Sequence, residues 1–594
     1  MLCQRILEAN PREPQAWYML GMVAHQAGQG QLAVDMIRKA ISLKPDFAAA
    51  HNDLGNLMIE QGRIPDATSY YRRAIQVSPD FPEAYNNLGN ACQMSESLEE
   101  AIACYRKAIE LRPSYAEAHR NLGSAFRRAG RLVEAAAAFE TALALNPALA
   151  EALALIVREM QQVCAWDGLD RLSQRLMELV ENGSGAVTPF IFLCLETTPA
   201  QQLLCAKQWA AQQLPRPAAR PKPRSNGGPI TIGYLSADFQ EHATAHLISQ
   251  LFSRHDRERF RVFGYSYGRD DGSPARRRIA SSFDRFVDLE AASFAEAAGV
   301  IREDGVDILV DLKGYTTDSR TQILALRPAP IQVSYLGYPG TMGTGFIDFI
   351  LVDPFVVPLD HQPYFSERLV HLPDCYQVND DTRPIAPRIP SRAECGLPEA
   401  GFVFCCFNST YKITPRIFGI WMRLLAATEG SVLWLFESNP LAAGNLRREA
   451  EARGIRADRL IFAPMLPNPE HLARFQVADL FLDTLPYNAH TLASDALWGG
   501  CPVVTCAGET FPSRVAGSLL RAVGLPELVT TSLAEYEALT LRLARDPDQL
   551  CSLREKLRHN RLTFPLFDTR RFARHLEEAY TAMWDLRETQ RSVE

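Results

Sequence analysis

Three polar segments of this 594-residue chain carry side chains that could move a proton or bind an anion. The first, EHATAH, follows the strand-like run ITIGYLSADF and places His242 and His246 four residues apart. A histidine at the end of a strand can act as a general base, although most lone histidines are structural. The spacing is similar to that of a zinc-binding helix, but no cysteine or carboxylate pattern nearby completes a metal site.

The second segment, NSTYKITP, follows the apolar run FVFCCF. Thr414 and Pro415 are typical first residues of a helix. Lys412 lies just before that helix start, where backbone N–H groups and the helix dipole attract anions. The position therefore suits a phosphate group, and an ordinary surface lysine is the alternative interpretation.

The third segment, NAHTLASD, follows LFLDTLPY and begins another helix. Backbone N–H groups of residues 490–492 would form a second anion-binding helix start. Asp495, one turn later, could accept hydrogen bonds from a ribose, and a simple helix cap is the alternative. Two such helix starts in one domain together favour a ligand that carries a diphosphate.

Other nucleotide-binding signals are weak or missing. Neither the GxGxxG fingerprint nor the GxxxxGK[ST] loop occurs, which argues against dehydrogenases and P-loop enzymes. The DxD-like triplet Asp546-Pro547-Asp548 lies in a polar turn between predicted helices, so we interpret it as a turn. A metal-free nucleotide-sugar site fits this pattern better. The glycine-rich stretch 337–345 follows a strand and could bring backbone amides close to an anion.

Alternating strands and helices must position these three segments. Between residues 230 and 560, β-rich runs alternate with helical stretches twice over, which predicts two doubly wound α/β domains that divide near residues 375–400. Ligands of such domains bind at the carboxyl ends of the strands. The predicted strands are 230–235, 260–267, 307–312, 331–336, 349–353, 402–407, 432–436, 460–462, 480–483 and 503–506.

A step of 34 residues runs through the first quarter of the chain. Small residues at fixed positions allow two helices to approach closely, and a proline ends each unit. This pattern resembles the tetratricopeptide repeat in four units, which would stack into a solenoid with a concave face. The residues that keep the step are Pro11, Pro45, Pro79, Pro113 and Pro147; Leu20-Gly21, Leu54-Gly55, Leu88-Gly89 and Leu122-Gly123; Ala33, Ala67, Ala101 and Ala135; and Ala40, Ala74, Ala108 and Ala142.

Asparagines recur on the first helix of these units. Helical spacing could place them on the concave face, where their amides would bind a peptide backbone; a solvated helix face is the alternative. The recurring amides are Asn52, Asn56, Asn86, Asn87, Asn90 and Asn121.

Composition excludes several classes of protein. Hydrophobic residues make up 47% and charged residues 22%, values of a globular chain rather than a disordered or fibrous one. The net charge of −7 argues against a nucleic-acid partner. No apolar run approaches the ~18–20 residues of a membrane span, and the first residues do not form a secretory signal. Thirteen cysteines without a CxxC pair predict reduced thiols and a cytoplasmic location.

Five longer motifs resemble the O-GlcNAc transferase family, including its bacterial members. They are GYLSADFQEHATAH (233–246), LRPAPIQVSYLGYPGTMG (326–343), CFNSTYKITP (406–415), FAPMLPNPEHLARFQVADLFLDT (462–484) and HTLASDALWGGCPVVTCAGETFPSRVAGSLL (490–520). The resemblance implies a tetratricopeptide solenoid followed by a GT-B-type glycosyltransferase of family 41, built from two Rossmann-like domains. It also implies an inverting, metal-independent transfer of GlcNAc from UDP-GlcNAc to serine or threonine hydroxyls of proteins.

The resemblance assigns roles to individual positions. His242 matches the proposed base, whose role within the family is disputed, and Lys412 matches the lysine on the UDP diphosphate. Positions matching the rest of the nucleotide-sugar site are Ser409, Leu466, Asn468, His471, Arg474, His490, Thr491, Leu492 and Asp495, and Gly337, Tyr338 and Pro339 match a loop near the sugar or acceptor.

The expected organisation follows from these matches. Residues 1–150 would be repeats, 151–229 a helical bridge and proline-rich linker, 230–380 and 381–560 the two catalytic domains, and 561–594 a C-terminal helix. The expected partners are a UDP-sugar, a protein or peptide acceptor on the concave face of the repeats, and a second copy in a homodimer. No cofactor is expected.

Departures from the animal members leave alternatives open. Those members carry Gln, Lys and Thr where Ser409, Asn468 and Leu492 stand, and they have a long insertion between the two halves. A protein O-fucosyltransferase that uses GDP-fucose, as in the SPINDLY type, therefore remains an alternative. A repeat scaffold with an inactive transferase half is another.

Overall fold

The computed structural model describes residues 2–146, 150–183, 187–221 and 228–591. The chain folds into two compact units, residues 1–159 and 160–594. Pro147 and residues 222–227 of the predicted proline-rich linker lie outside the described residues. Among the described helices, none combines the length and apolar character that crossing a membrane requires.

The first unit is helical throughout its described residues. Its consecutive helices pack in pairs at the 34-residue spacing that the sequence predicts, so the tetratricopeptide prediction is confirmed. The helices are α1 (Leu2–Ala9), α2 (Pro14–Gln26), α3 (Gly30–Leu43), α4 (Ala48–Glu60), α5 (Ile64–Val77), α6 (Pro82–Met94), α7 (Leu98–Leu111), α8 (Ala116–Arg128), α9 (Leu132–Leu145) and α10 (Ala150–Gln162), the last running past residue 159.

Helix pairs approach closely where the repeated glycine lies. A Cβ atom on Gly55 would lie 2.5 Å from the Tyr71 ring, and one on Gly89 would lie 2.6 Å from the Tyr105 ring. The repeated alanines at positions such as Ala67 are fully buried. Glycine is therefore required at this repeated position because the partner helix places a large side chain directly on its Cα, an isoleucine (Ile37) at Gly21 and an aromatic ring at the other three glycines.

The recurring asparagines join neighbouring repeats. Nδ2 of Asn87 donates to Oδ1 of Asn52 at 3.0 Å, and Nδ2 of Asn121 donates to Oδ1 of Asn86 at 2.9 Å. Part of the amide capacity is therefore already used within the array. Peptide binding by the remaining amide groups stays a prediction.

The second unit combines helices with two parallel sheets. Its described helices are α11 (Leu169–Glu181), α12 (Pro189–Phe192), α13 (Pro199–Gln213), α14 (Ala243–Ile248), α15 (Leu251–Arg254), α16 (Pro274–Ala280), α17 (Phe294–Glu303), α18 (Gln322–Ala325), α19 (Pro415–Ala427), α20 (Pro440–Ala452), α21 (Asn468–Arg474), α22 (Thr491–Gly499), α23 (Val515–Ala522), α24 (Leu533–Arg545), α25 (Pro547–Asn560) and α26 (Thr569–Arg591). Its strands are β1 (Ile230–Ser236), β2 (Phe260–Ser266), β3 (Arg285–Asp288), β4 (Ile308–Asp311), β5 (Ile331–Ser334), β6 (Phe349–Val352), β7 (Arg368–His371), β8 (Val403–Cys406), β9 (Val432–Phe436), β10 (Leu460–Ala463), β11 (Leu480–Leu482), β12 (Val503–Cys506) and β13 (Val529–Thr530).

Strand order defines where ligands can bind. The first sheet runs β3-β2-β1-β4-β5-β6-β7, the second runs β10-β9-β8-β11-β12-β13, and neighbouring strands are parallel. The order reverses between β1 and β4 in the first sheet and between β8 and β11 in the second. Crevices at such reversals, at the carboxyl ends of the strands, are the usual ligand sites of doubly wound sheets.

The C-terminal helix returns to the first sheet. The hydroxyl groups of Tyr580 on α26 and Tyr234 on β1 lie 3.2 Å apart, and Glu577 Oε1 lies 3.1 Å from His255 Nδ1. The chain therefore leaves the first half after β7, builds the second sheet, and ends against the first half again. Residues 592–594 of the predicted C-terminal helix lie outside the described part.

Candidate active site

Both reversal points carry the polar segments that the sequence singles out. The segment with His242 leaves β1, and the segment with Lys412 leaves β8. The loop before His490 leaves β11, next to β8 in the second sheet. The fold therefore brings these three segments to the two places where a ligand is expected.

Lys412 ends a short 3-10 turn and is buried in the second half. Its Nζ donates to the backbone carbonyl of Asn488 at 2.8 Å and lies 4.2 Å from the centre of the Tyr487 ring. Burial lowers the pKa of Lys412 to about 8, and Asp483 opposes this shift. The side chain is therefore an ammonium group at neutral pH, with donors beyond the one that Asn488 uses.

Asp483 shapes the loop that follows β11. Its Oδ1 accepts hydrogen bonds from the backbone N–H groups of Thr484 (2.7 Å) and Ala489 (2.6 Å). Its Oδ2 accepts from the Thr505 hydroxyl at 2.6 Å. Burial raises the pKa of Asp483 to about 6. This carboxylate closes the loop so that the Asn488 carbonyl reaches Lys412.

His490 lies at the start of α22 and is neutral. Its Nε2 donates to the Pro512 carbonyl at 3.2 Å, and its ring stacks on Tyr487 with centroids 4.8 Å apart. Burial, together with Lys412, holds the pKa of His490 well below its usual value. Thr491 is the first residue of the helix, as predicted, and Leu492 in the same turn packs against the hydrophobic core.

A second cluster joins α21 to α22. Arg474 donates from Nη2 to Nδ1 of His471 at 2.5 Å and lies over the Phe407 ring at 4.3 Å. The Nδ1 of His471 is therefore an acceptor, which leaves the proton on Nε2, 3.8 Å from Asp495 Oδ2. Burial lowers the pKa of His471 to about 4, so the ring stays neutral.

Arg383 completes this cluster from the segment that links the two halves. Its Nη1 lies 2.5 Å from Asp495 Oδ1, and both side chains are almost fully buried. The Trp498 indole donates to the Arg383 carbonyl at 3.2 Å. The charge of Asp495 is therefore already paired, and its orientation is fixed. Sequence reasoning missed Arg383, since the linking segment has no motif of its own.

The remaining second-half positions line the same loops. The carbonyl of Ser409 accepts the Lys412 backbone N–H at 3.0 Å. Leu466 is 36% exposed in the loop before α21, and Asn468 is the first residue of that helix, one turn before His471. These three positions lie beside the two clusters without forming part of their side-chain networks in the described residues.

In the first half, His242 caps α14 with its own ring. The Thr244 backbone N–H donates to His242 Nδ1 at 3.2 Å, and Asp238 Oδ2 lies 3.6 Å from the same nitrogen. Partial burial lowers the pKa of His242, Asp238 raises it, and Lys313 and His246 lower it further. The other histidine of this segment, His246, pairs with Glu241 at 2.9 Å.

The predicted sugar or acceptor loop packs beside these groups. A Cβ atom on Gly337 would lie 2.0 Å from the Leu312 carbonyl oxygen and 3.1 Å from the Lys313 Cα. The Tyr338 ring is buried and packs edge-on against Tyr315 at 5.5 Å. Pro339 follows in the same loop and is buried. The loop is thus held in van der Waals contact with the segment that carries Lys313.

The two halves meet at this edge. Helix α14, which His242 caps, packs against α22, which contains Asp495. His246 on α14 is close enough to His471 to contribute to the lowering of its pKa. The candidate general base and the candidate nucleotide groups therefore border one site in the second unit.

The second unit has two parallel sheets with polar loops at both reversal points, and a tetratricopeptide array precedes it in the chain. These features define a repeat-bearing glycosyltransferase of the GT-B type. The profile described as glycosyl transferase family 41 matches residues 202–389 and 381–576, so the chain belongs to this family. Tetratricopeptide profiles match residues 14–47, 55–95, 95–130 and 116–149.

Several named proteins are similar to this chain. A probable UDP-N-acetylglucosamine–peptide N-acetylglucosaminyltransferase, SEC, of Arabidopsis thaliana is 37% identical over 73% of this chain and 46% of its own length. A protein of Caenorhabditis elegans described as UDP-N-acetylglucosamine–peptide N-acetylglucosaminyltransferase is 29% identical over 71% of this chain and 48% of its own. The chain thus spans about half the length of these curated relatives. A solved mutant O-GlcNAc transferase of Thermobaculum terrenum is 29% identical, with a TM-score of 0.65 over 90% of this chain and 97% of that one.

Proposed function

We propose that this chain is an inverting, metal-independent glycosyltransferase that moves GlcNAc from UDP-GlcNAc to serine or threonine hydroxyls of proteins. The observation that carries the proposal is the buried ammonium group of Lys412 at the reversal point of the second sheet. It is positioned by the Asn488 carbonyl and the Tyr487 ring and retains donors for a diphosphate. The names of the relatives support UDP-GlcNAc as donor and a peptide as acceptor.

In this mechanism, the acceptor hydroxyl attacks the anomeric carbon from the face opposite the diphosphate. The new C–O bond forms as the bond to the phosphate oxygen breaks, which inverts the anomeric centre. Lys412 and the start of α22 stabilise the charge that grows on the departing UDP, an electrostatic contribution often worth 10²–10³-fold in rate. Lys412 would supply the positive charge that a divalent metal supplies in other nucleotide-sugar enzymes.

The nucleoside would bind to the cluster around His471. The His471 ring is neutral and has a fixed tautomer, so its Nε2–H is a donor, while Asp495 Oδ2 is an acceptor for a ribose hydroxyl. Arg474 and Arg383 hold these two groups in place. Leu466 and Asn468 lie at the edge of this position and would border the base.

His242 would handle the acceptor proton. Because Nδ1 accepts the Thr244 N–H, the resting ring carries its proton on Nε2. In this form the Nε2–H group can donate a hydrogen bond to the hydroxyl that receives the sugar and orient it. Accepting a proton at Nε2 requires the other tautomer. A general base of this type typically contributes about 10²–10⁴-fold.

The repeats would recruit the protein acceptor through their concave face. Amide groups that recur at 34-residue intervals can bind a peptide backbone without reading its sequence. We also propose a cytoplasmic location, because the chain has many cysteines and none of those described forms a disulfide. A homodimer is a further proposal for this chain.

Calorimetry with UDP, UDP-GlcNAc and GDP, followed by mass spectrometry of co-expressed proteins, tests the function. We expect UDP and UDP-GlcNAc to bind, GDP not to bind, and serine or threonine residues to gain a HexNAc mass. Binding of GDP instead of UDP would favour the fucosyltransferase alternative. If no nucleotide diphosphate bound, the transferase proposal would fail in favour of a scaffold.

A further inference from the structure

A buried ion pair lies beside His242, and the proposed function assigns no role to it. Asp238 follows β1, Lys313 follows β4, and Lys313 Nζ lies 2.5 Å from Asp238 Oδ1. The side chains are 6% and 8% exposed, respectively. The pair thus occupies the reversal point of the first sheet, in contact with the loop that begins at Gly337. A buried pair of this kind costs desolvation energy and rarely adds net stability.

We propose that Asp238, held by Lys313, is a positioning residue that decides which ring nitrogen of His242 carries the proton. The inference rests on the proposed function, because it concerns the role of His242 in transfer.

The geometry places His242 Nδ1 between a donor and an acceptor. The Thr244 N–H can only donate, and it lies 3.2 Å away; Asp238 Oδ2 can only accept, and it lies 3.6 Å away. While Nδ1 caps the helix, its proton is on Nε2 and the ring cannot act as a base there. When Nδ1 carries the proton, it must turn from Thr244 towards Asp238, which frees Nε2 to take the acceptor proton.

Lys313 keeps the carboxylate ready for this change. By pairing with Oδ1 it leaves Oδ2 facing the histidine. The Lys313 backbone N–H donates to Asp311 at 3.1 Å, and Gly337 packs on its Cα, so the lysine itself is fixed. The charged or titratable groups that act on His242 are Asp238, Lys313 and His246, the last paired with Glu241.

The proton step is balanced. The acceptor hydroxyl proton moves to Nε2 while the oxygen bonds to the anomeric carbon and the diphosphate departs with its bonding electrons. The resulting imidazolium donates from Nδ1 to Asp238 Oδ2, and it loses its Nε2 proton to solvent after the product leaves. Asp238 remains ionised throughout, since its role is to orient the ring and stabilise the imidazolium.

A double-mutant cycle tests the proposal. We expect Asp238→Asn to lower kcat at least tenfold, with KM for UDP-GlcNAc and UDP affinity within twofold of wild type. The asparagine amide has only one oxygen, and Lys313 uses that oxygen as its acceptor. The NH₂ group of the amide then faces His242 Nδ1 and donates to it, which preserves the inactive tautomer of the ring. Because Asp238 acts through His242, Asp238→Asn should have no further effect in a His242→Ala background.

The pH profile gives a second readout. Asp238 raises the pKa of His242, so its removal should move the acidic limb of kcat/KM to lower pH. Lys313→Met should also lower kcat, again without further effect in the His242→Ala background, and it supplies the cycle if Asp238→Asn fails to fold. Asp348→Asn is the matched control: Asp348 is a buried carboxylate paired with Arg327 at the amino ends of the same sheet, and kcat should be unchanged.

Two results would overturn the inference: wild-type kcat in Asp238→Asn, or equal losses from that change with and without His242. Either result leaves the proposed function standing, provided that the wild-type protein binds UDP and transfers the sugar. Failure of the wild-type protein in those two assays would instead reject the proposed function.

Discussion

The Lys412 ammonium group donates a hydrogen bond to the Asn488 backbone carbonyl at 2.8 Å. This contact joins the loop after β8 to the loop after β11 across the reversal point of the second sheet. The hydrogen-bond partner of this buried cation is a neutral carbonyl rather than a carboxylate. A cation held in this way is costly for the free protein but ready for a dianionic ligand.

Replacing Lys412 with methionine should raise stability and remove activity. Burial lowers its pKa from 10.5 to about 8, so the free protein loses on the order of 3 kcal/mol by keeping this group charged. We expect a higher Tm for Lys412→Met, UDP binding too weak to measure by calorimetry, and kcat reduced by about 10²–10³-fold or more. Lys556→Ala, an exposed lysine paired with Glu527 in the same half, is the control. Full sugar transfer by Lys412→Met would rule out Lys412 as the group that binds the diphosphate.

The affinity for UDP should fall as the pH rises through about 8. Below that value Lys412 is an ammonium group in the free protein; above it, binding must first recover a proton. Titrations at pH 8.5 in buffers of different ionisation enthalpy should therefore show proton uptake, and titrations at pH 6.5 should show none from this group. By the same linkage, the contribution of Lys412 to the free energy of unfolding becomes more favourable as the pH rises from about 8 to 10.5. In this range the unfolded chain still binds the proton that the folded protein has lost. A pH-independent affinity from 6.5 to 9.5 would contradict this prediction.

Arg383 should control recognition of the ribose. Removing it leaves Asp495 as a buried carboxylate without its cation, free to turn away from the ribose position. We expect Arg383→Met to weaken UDP binding at least tenfold and to abolish the preference for UDP over 2′- or 3′-deoxy-UDP. Arg392→Met removes a partly exposed pair with Asp479 from the same linking segment and should retain the preference. An Arg383→Met protein with wild-type discrimination would show that Asp495 acts alone.

The repeated glycine should tolerate no larger residue. Gly55→Ala places a methyl group 2.5 Å from the Tyr71 ring, so the ring or a helix must shift. Overpacking of this kind costs about 1–3 kcal/mol. We expect a lower midpoint for the repeat unit in thermal unfolding followed by circular dichroism. Gly30→Ala, in open space at the start of α3, should change the midpoint little or raise it, and equal effects of the two substitutions would refute the packing argument.

Periodicity predicted most of the fold. The 34-residue step located the helix pairs, and continuous apolar runs located the central strands. The strands β3, β7 and β13 were missed. β3 and β7 are the two edge strands of the first sheet, and their residues are exposed or half-buried; β13 is an edge strand of the second sheet and has only two residues. Such strands form because a neighbouring strand offers hydrogen bonds, which local sequence does not record.

The site was predicted where a residue follows a strand or begins a helix. Lys412, His490 and Asp495 were singled out as candidates in this way, whereas the residues that contact them were not. Asn488 contributes a backbone carbonyl, and Arg383 reaches Asp495 from 112 residues away in the chain. Contacts of this kind depend on topology, and no local signal announces them.

The return of α26 to the first sheet has a mechanical consequence. The second sheet is an insertion, joined to the first half by two covalent crossings: the segment after β7 and the segment before α26. A body attached at one point can swivel in any direction, whereas a body attached at two points turns about the line that joins them. Any relative motion of the two halves is therefore expected to follow a single hinge axis, and removal of α26 would free the second half to move in other directions.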